Sequence, residues 1–156
     1  MKDHEHYMRL ALDLAREAGE DGEAPIGCIV VDAGGAVIGR GRNRREKNKD
    51  ATGHAEMEAI AEAGRSLGDW RLDGCRMYVT LEPCPMCAGA ILMSRIERIY
   101  FGASDDATGA CGGVFNLFME SYGHKAQIFG GLLTEECSAL LSGFFKRIRE
   151  TAQPPL

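Results

Sequence analysis

The chain has 156 residues, of which 45% are hydrophobic and 26% charged, and its formal net charge is −5. A chain of this length buries about two-thirds of its unfolded surface, so a single domain over residues 1–156 is predicted without support from disulfides. The acidic balance excludes a protein that coats nucleic acid indiscriminately, because such proteins carry an excess of Lys and Arg. One local basic surface remains compatible with it.

Cellular location follows from the apolar segments and the cysteines. Charges interrupt the apolar positions of residues 1–17, unlike the core of a signal peptide. No apolar run approaches the roughly 18 residues of a membrane span. We therefore expect a cytoplasmic protein that does not enter a membrane, and there six cysteines favour free thiols or metal ligands over disulfides.

The first half of the chain predicts two helices around a hairpin. Apolar residues recur every three or four positions over residues 7–18, which indicates an amphipathic helix. Two β-branched segments, 26–31 and 37–41, flank an Asp-Ala-Gly-Gly turn and predict a hairpin. Residues 42–50 are polar without periodicity and predict a loop, whereas residues 54–67 predict a helix.

The second half predicts alternating strands and helices. We expect a buried strand at 77–81, a helix opened by proline at 85–94 and a further strand at 96–101. A short helix at 114–120, a strand at 127–129 and a closing helix at 134–149 follow. This alternation predicts a mostly parallel sheet covered on both faces and led by one antiparallel hairpin.

Two short motifs point to a metal. They are His54-Ala55-Glu56 and Pro83-Cys84-Pro85-Met86-Cys87, and each opens a predicted helix. A Cys-x-x-Cys pair also occurs in redox sites, but here two prolines place it on a rigid helix start. A helix N-terminus favours thiolate over thiol, so both cysteines are suited to bind a metal cation. Two thiolates and one imidazole are ligands that Zn²⁺ commonly takes in proteins. The fourth position would stay open to activate a water molecule.

Glu56 is predicted to act on that water. Side chains two residues apart on a helix do not share a face, so His54 and Glu56 make an improbable pair of ligands. A carboxylate near the water could take its proton and return it to a nitrogen leaving group. The alternative for Glu56 is a solvated glutamate in the first turn of a helix.

A closed, structural zinc site is the competing interpretation. Cys75, Cys111 and His124 are the alternatives for a fourth ligand, whereas Cys28 and Cys137 lie in apolar sequence typical of core thiols. A closed site would indicate a zinc-stabilised module without catalysis.

The wider sequence is identified as a member of a known family. His-x-Glu followed by Pro-Cys-x-x-Cys is the signature of zinc-dependent nucleobase deaminases. The segment VTLEPCPMCAGA at 79–90, together with 94–96, 100–103 and 136–142, closely resembles the bacterial tRNA-specific adenosine deaminases. The resemblance runs from about Tyr7 to Arg149. It implies a three-layer α/β/α cytidine-deaminase-like fold with a five-stranded mixed sheet, one zinc per subunit and a homodimer, for which the apolar residues around 90–93 are candidates.

The resemblance also implies an activity and its residues. The reaction would be hydrolytic deamination of adenosine to inosine at the wobble position of a tRNA anticodon, with the anticodon stem-loop as partner. By motif match, His54, Cys84 and Cys87 would hold zinc and Glu56 would move protons. The same chemistry on a free base or nucleotide (guanine, cytosine or deoxycytidylate) is the alternative.

Two further residues match family positions outside the metal centre. Asn43 would contact the target purine, and Asp105 would lie near a neighbouring ribose hydroxyl. Their alternatives are a turn residue and a loop cap.

Basic residues form two clusters that could contact phosphates. The first basic cluster comprises Arg40, Arg42, Arg44, Arg45, Lys47 and Lys49, and the second comprises Lys146, Arg147 and Arg149. The alternative for each is a solvated face.

Overall fold

The computed structural model describes residues 3–152, so residues 1–2 and 153–156 of the expected domain lie outside the described part. The helices are α1 (His4–Glu20), α2 (Arg45–Asn48), α3 (Ala55–Leu67), α4 (Pro85–Met93) and α5 (Thr134–Thr151). The strands are β1 (Gly27–Val31), β2 (Val37–Arg42), β3 (Arg76–Leu81), β4 (Arg98–Ala103) and β5 (Gln127–Gly130), with a 3₁₀ turn at Leu117–Met119. Within residues 3–152, no helix has both the length and the apolar character needed to cross a membrane.

The strands form one five-stranded mixed sheet in the order β2-β1-β3-β4-β5. β1 pairs antiparallel with both β2 and β3, whereas β3, β4 and β5 are parallel. The prediction of a mostly parallel sheet was therefore wrong, since half of the pairings are antiparallel. The physical reason is that β3 runs in the direction of β2 but lies on the far side of β1, so its hydrogen bonds go to an opposed strand.

Helices cover both faces of the sheet, which confirms the expected three-layer α/β/α fold. Alternate strand residues such as Val30 and Met77 pack against Ala59 of α3 and Ile91 of α4. The opposite pleat packs against α1, and Cys137 of α5 joins the same layer. The two core layers therefore follow directly from the two-residue period of the strands.

Aromatic rings line the sheet face below α1. Tyr78, Tyr100 and Phe129 occupy matching positions on β3, β4 and β5, and their rings stack in sequence with centroids 4.9 Å apart. Nδ1 of His4 lies 2.8 Å from the buried Tyr78 hydroxyl. This stack ties the start of α1 to the parallel half of the sheet.

Local boundaries differ from the prediction in three places. The expected loop 42–50 contains the single turn of α2, whose N-terminal amides at Glu46 and Lys47 donate to the buried carboxylate of Glu23. The strand expected at 96–101 begins only at Arg98, because Arg95 has a left-handed backbone (φ 68°) that ends the preceding turn. The short helix expected at 114–120 is reduced to the 3₁₀ turn.

Candidate active site and metal centre

The site forms where several strands end at one edge of the sheet. β2, β3 and β4 run in the same direction, so their carboxyl ends meet there, and β1 begins at the same edge. Asn43 directly follows β2, the Cys84 segment follows β3, and Asp105 follows β4. Residues far apart in the sequence are thus delivered to one place by the topology.

His54, Cys84 and Cys87 converge at this edge. Nδ1 of His54 lies 3.6 Å from Sγ of Cys84 and 3.5 Å from Sγ of Cys87. Zinc bonds of about 2.3 Å to sulfur and about 2.0 Å to nitrogen, at tetrahedral angles, would separate such atoms by about 3.6 Å. The three ligand atoms all lie within 4.8 Å of one another. Their spacing and chemistry therefore fit the expected zinc cofactor.

Helix starts position these ligands. His54 is the N-cap residue of α3, Cys84 is the N-cap of α4, and Pro85 occupies the first turn of α4. Proline suits this position because its fixed φ is preorganised for a helix and its missing N–H would have no partner there. Both helices direct the positive ends of their dipoles at the site, which stabilises thiolates.

The pKa values of the Cys84 and Cys87 thiols shift in opposite directions. Hydrogen bonds from Cys87 and His54 lower the pKa of Cys84 to about 4. The hydrogen bond to Cys84, together with burial, raises the pKa of Cys87. A cation beside the pair would offset the repulsion between two thiolates, which makes the pair chemically suited to a metal.

Glu56 lies next to the ligands but is not one of them. Its side chain is 4% exposed, and burial raises its pKa to about 7. Among residues 3–152, the metal-ligand group contains His54, Cys84 and Cys87 without Glu56. A buried carboxyl group with a pKa near neutrality can both accept and donate a proton at physiological pH.

The residues named as fourth-ligand alternatives do not join the group. Cys75, Cys111 and His124 are absent from the one cluster of at least three metal-binding side chains in the described part of the chain. The His124 Nε2 lies 2.8 Å from the carbonyl oxygen of Ile96, and burial raises the pKa of Cys111 to about 12. The described residues thus supply three ligands, as an open site requires.

A cavity of about 180 Å³ opens beside the metal ligands. Its walls include residues from the ends of strands, from the starts of α3 and α4 and from the closing helix: Asn43, His54, Glu56, Cys84, Asp105 and Phe145. This volume is below the range of about 300–1,000 Å³ typical of pockets for drug-sized ligands. The cavity therefore suits one extruded base better than a larger compound.

Asn43 and Asp105 line this cavity while also serving their own loops. The Asn43 side chain donates to the carbonyl of Ala24 (3.4 Å) and accepts from the amide of Arg45 (3.1 Å). Asp105 accepts from the amide (3.2 Å) and hydroxyl (2.7 Å) of Thr108. Burial opposes ionisation of Asp105, but the hydrogen bonds from Thr108 outweigh it and lower the pKa of this carboxyl. The structure therefore contains the turn contacts expected of Asn43 and the loop-cap contacts expected of Asp105.

The two basic clusters differ in how their charge is compensated. In the first cluster, Arg42 pairs with Glu17 and Asp21, and Arg44 pairs with Glu58. No ion pair among residues 3–152 includes a member of the second cluster, which lies on α5. The helix that carries Phe145 therefore also carries three basic side chains outside the ion pairs of the described residues.

Sequence reasoning missed Phe145 and Glu82. Phe145 is 44% exposed and reaches the cavity from α5, beside the buried Phe144. Glu82 is buried directly before Pro83 and Cys84, and backbone amides surround its carboxylate. Glu82 could have been identified from the sequence, because it is a glutamate in the otherwise apolar run that precedes the cysteine motif.

Comparison with known proteins agrees with this geometry. Residues 1–103 match the family model of the cytidine and deoxycytidylate deaminase zinc-binding region. The chain is 46% identical to the tRNA-specific adenosine deaminase of Bacillus subtilis (strain 168) over 151 residues, which cover 96% of this chain and 93% of that protein.

Solved structures give the same picture. One solved structure comes from a study of A-to-I editing by tRNA:A34 deaminases at the wobble position of transfer RNA. It superposes on this chain with a TM-score of 0.82 and is 45% identical in sequence. The superposition covers 87% of this chain and 99% of the other. A guanine deaminase from Bacillus subtilis superposes with a TM-score of 0.63 and 31% identity over 99% of both chains. The chain therefore belongs to the zinc-binding cytidine and deoxycytidylate deaminase family, within the branch of the bacterial tRNA-specific adenosine deaminases.

Proposed function

We propose that this protein is a zinc-dependent hydrolase that deaminates adenosine to inosine at the wobble position of a tRNA anticodon. The observation that carries the substrate assignment is the 46% identity with a tRNA-specific adenosine deaminase along 96% of the chain. The metal ligands, the buried Glu56 and a cavity of single-base size support a hydrolytic deamination.

His54, Cys84 and Cys87 hold the zinc. When bound there, zinc is a Lewis acid that makes water nucleophilic near neutral pH. A carboxylate oxygen of Glu56 takes a proton from the attacking water and returns it to the exocyclic nitrogen of adenine. The C6–N6 bond breaks as a C6–O bond forms, so water and adenosine give inosine and ammonia.

Asn43 and Asp105 bind the substrate in this proposal. Both line the cavity that contains Glu56, and they approach it from the ends of different strands. Asn43 contacts the target purine, and Asp105 contacts the ribose hydroxyl of a neighbouring nucleotide. An anticodon loop suits such a cavity because an unpaired base costs little to extrude.

The second basic cluster provides the RNA-binding surface. It has no ion-pair partner in the described part of the chain, and it lies on the helix that brings Phe145 to the cavity. Positive charge at this position would attract the phosphates that flank an extruded base.

Deamination of free guanine is the second candidate. It is favoured by the similarity to a guanine deaminase over 99% of both chains, although the identity of 31% is lower than that to the tRNA enzyme. Zinc ligation alone does not discriminate between these substrates, since both reactions replace an exocyclic amine by oxygen.

One assay discriminates between the candidates. The purified zinc-loaded protein is incubated separately with an anticodon stem-loop carrying adenosine at the wobble position, with the same stem-loop carrying adenosine only in the stem, and with free guanine and cytosine. We expect inosine from the first RNA alone. Product from guanine with none from RNA would exclude the tRNA function, and no product from any substrate would support a binding module without catalysis.

We further propose that the protein is a homodimer built on the exposed face between α3 and α4. Of the apolar residues at 90–93, Ile91 and Leu92 are buried in the core, whereas Ala90 and Met93 line an open groove together with Trp70. Met93 is 68% and Trp70 55% exposed. Large apolar side chains at this exposure favour a protein partner, and a second copy offers the same apolar surface in return.

Residues 1–156 form one deaminase domain in the cytoplasm in this proposal. Every strand within residues 3–152 joins the same sheet, which supports a single folding unit. All six cysteines are free thiols, and a tRNA substrate and thiolate ligands both suit a reducing compartment.

A further inference from the structure

The loop that follows β4 folds around the carboxylate of Glu82. This side chain is 3% exposed. Its Oε1 accepts from the amide of Asp105 (3.0 Å), and its Oε2 accepts from the amides of Cys111 and Gly113 (2.9 Å each). Three donors from one loop thus converge on one buried carboxylate, which we call the Glu82 anchor.

Two glycines make this close approach possible. A Cβ on Gly109 would overlap Oε2 of Glu82, and a Cβ on Gly113 would overlap the carbonyl oxygen of Asp105. Neither glycine has a positive φ, so space rather than backbone conformation requires a residue without a side chain. The loop sequence is therefore fitted to the glutamate that it surrounds.

Backbone hydrogen bonds join the same two segments. The amide of Ala110 donates to the carbonyl of Pro83 (2.8 Å), and the amide of Glu82 donates to the carbonyl of Ala103 (2.8 Å). The loop is consequently attached to the two residues that precede the metal ligand Cys84. Any movement of the anchor would change the distance between Asp105 and the metal centre.

We propose that Glu82 is a positioning residue, which holds the Asp105 wall of the substrate cavity in register with the zinc ligands. The proposal rests on the proposed function, because it assigns Glu82 a part in recognition of the nucleotide beside the target base. A buried carboxylate is costly unless its lone pairs are satisfied, and here the satisfying donors come from the substrate loop rather than from the core. Glu82 itself borders the cavity, but both of its carboxylate oxygens accept hydrogen bonds from backbone amides of the loop, so it acts through Asp105.

The test is Glu82→Gln in the zinc-loaded full chain. Glutamine keeps the shape but places an NH₂ group against backbone donors, which breaks part of the anchor. We expect retained zinc and unchanged secondary structure, with amide hydrogen exchange at Asp105, Cys111 and Gly113 accelerated at least about tenfold. For the stem-loop, KM should rise about tenfold while kcat changes less than about threefold, because the lost interaction binds a neighbouring nucleotide.

A double-mutant cycle with Asp105→Ala separates positioning from general loss of structure. In the Asp105→Ala background, Glu82→Gln should have little further effect on kcat/KM, since both changes remove the same contact. A full additional loss in that background, or a loss of zinc from the single variant, would overturn the proposal.

Asp32→Asn is the matched control. The Asp32 carboxylate accepts backbone hydrogen bonds from Gly34 and Ala36 in the turn between β1 and β2, away from the cavity. This variant should keep the KM of the wild type. An equal rise in KM for both variants would assign the Glu82 effect to loosened structure and refute positioning.

Two further measurements keep the test decisive. If Glu82→Gln does not fold, Gly109→Ala strains the same anchor from the loop side, and the same KM rise and exchange pattern are expected. Hydrogen exchange needs no substrate. A wild-type protein inactive on RNA would therefore refute the proposed function, whereas unchanged exchange in the variants would refute the anchor itself.

Discussion

Sγ of Cys84 lies 3.6 Å from Nδ1 of His54, although 30 residues separate them in the chain. The two residues open different helices, α4 and α3, and these helices lie on the same face of the sheet. A cation bound between them would therefore strengthen the link between two helix starts that His54 joins through hydrogen bonds to the two cysteines. Zinc should contribute to stability as well as to catalysis.

Removing one thiolate tests this link. Cys84→Ala should lose stoichiometric zinc and melt about 10 °C lower. Zinc binds only the folded state, so its loss lowers the free energy of unfolding by about 4 kcal/mol. Metal analysis and calorimetry measure both effects. Cys75→Ala, which removes a buried thiol outside the ligand group, should keep its zinc; stoichiometric zinc in Cys84→Ala would contradict the assigned ligand set.

Glu56→Gln should retain zinc and lose turnover. The amide keeps the shape of the side chain but cannot move a proton, so kcat should fall by about 10²–10⁴-fold. Single-turnover kinetics on a stem-loop measure the change. Glu58→Gln is the matched control, since Glu58 lies on the same helix but pairs with Arg44. Wild-type turnover in Glu56→Gln would remove Glu56 from the mechanism.

Replacing Lys146, Arg147 and Arg149 by Gln should weaken RNA binding and flatten its salt dependence. The slope of log K against log salt should fall by about 0.7 for each single-strand phosphate contact that is lost. Fluorescence anisotropy across a salt series measures it. Replacing Arg76, Arg98 and Lys125 removes equal charge at the amino ends of β3, β4 and β5, away from the site. Identical slopes for wild type and the α5 variant would exclude phosphate contacts there.

Met93→Lys should dissociate the proposed dimer. A charge placed in an apolar interface between two identical faces is introduced twice and cannot be solvated there. Sedimentation velocity of the wild type should show a dimer, and the variant a monomer. Val114→Lys, a change at an exposed apolar residue outside the groove, is the control. A monomeric wild type would refute the homodimer.

Alkaline pH should destabilise the fold through Tyr78. Burial raises the pKa of Tyr78 to about 12, above the value of about 10 for an unfolded chain. Its neutral form is favoured in the folded state, so this contribution is complete below pH 10 and is lost as the pH rises towards 12.

Replacement by phenylalanine isolates that contribution. When the pH is raised from 8 to 11, the free energy of unfolding of Tyr78→Phe should fall by about 1 kcal/mol less than that of the wild type. Urea titrations at both pH values measure the difference. Tyr122→Phe, at an exposed tyrosine, should behave as the wild type does; parallel losses in Tyr78→Phe and wild type would argue against the raised pKa.

Local signals made much of the fold and the metal centre predictable. Helical periodicity, β-branched strands and a proline at the start of α4 are properties of neighbouring residues, so they identify elements and place His54, Cys84 and Cys87 at helix starts. The pairing of β1 with β3 was not predictable in this way. It depends on which side of the hairpin the returning chain occupies, and no residue pattern within either strand records that choice.

Long-range contacts explain the residues that sequence reasoning missed. Glu82 receives its hydrogen bonds from amides 23 to 31 positions later, and backbone amides have no side-chain signature. Phe145 reaches the cavity only because α5 packs across β4, a relationship that periodicity within α5 does not reveal.

The match to the zinc-binding family model ends at residue 103, where β4 also ends. All three metal ligands and Glu56 precede this boundary, whereas Asp105, Thr108 and Phe145 follow it and still line the same cavity. One part of the cavity wall, which includes Asn43, therefore lies within the stretch that the family model matches, and the other part lies after it. Substitutions after residue 103 can therefore reshape that second part of the wall while the three metal ligands and Glu56 stay in place.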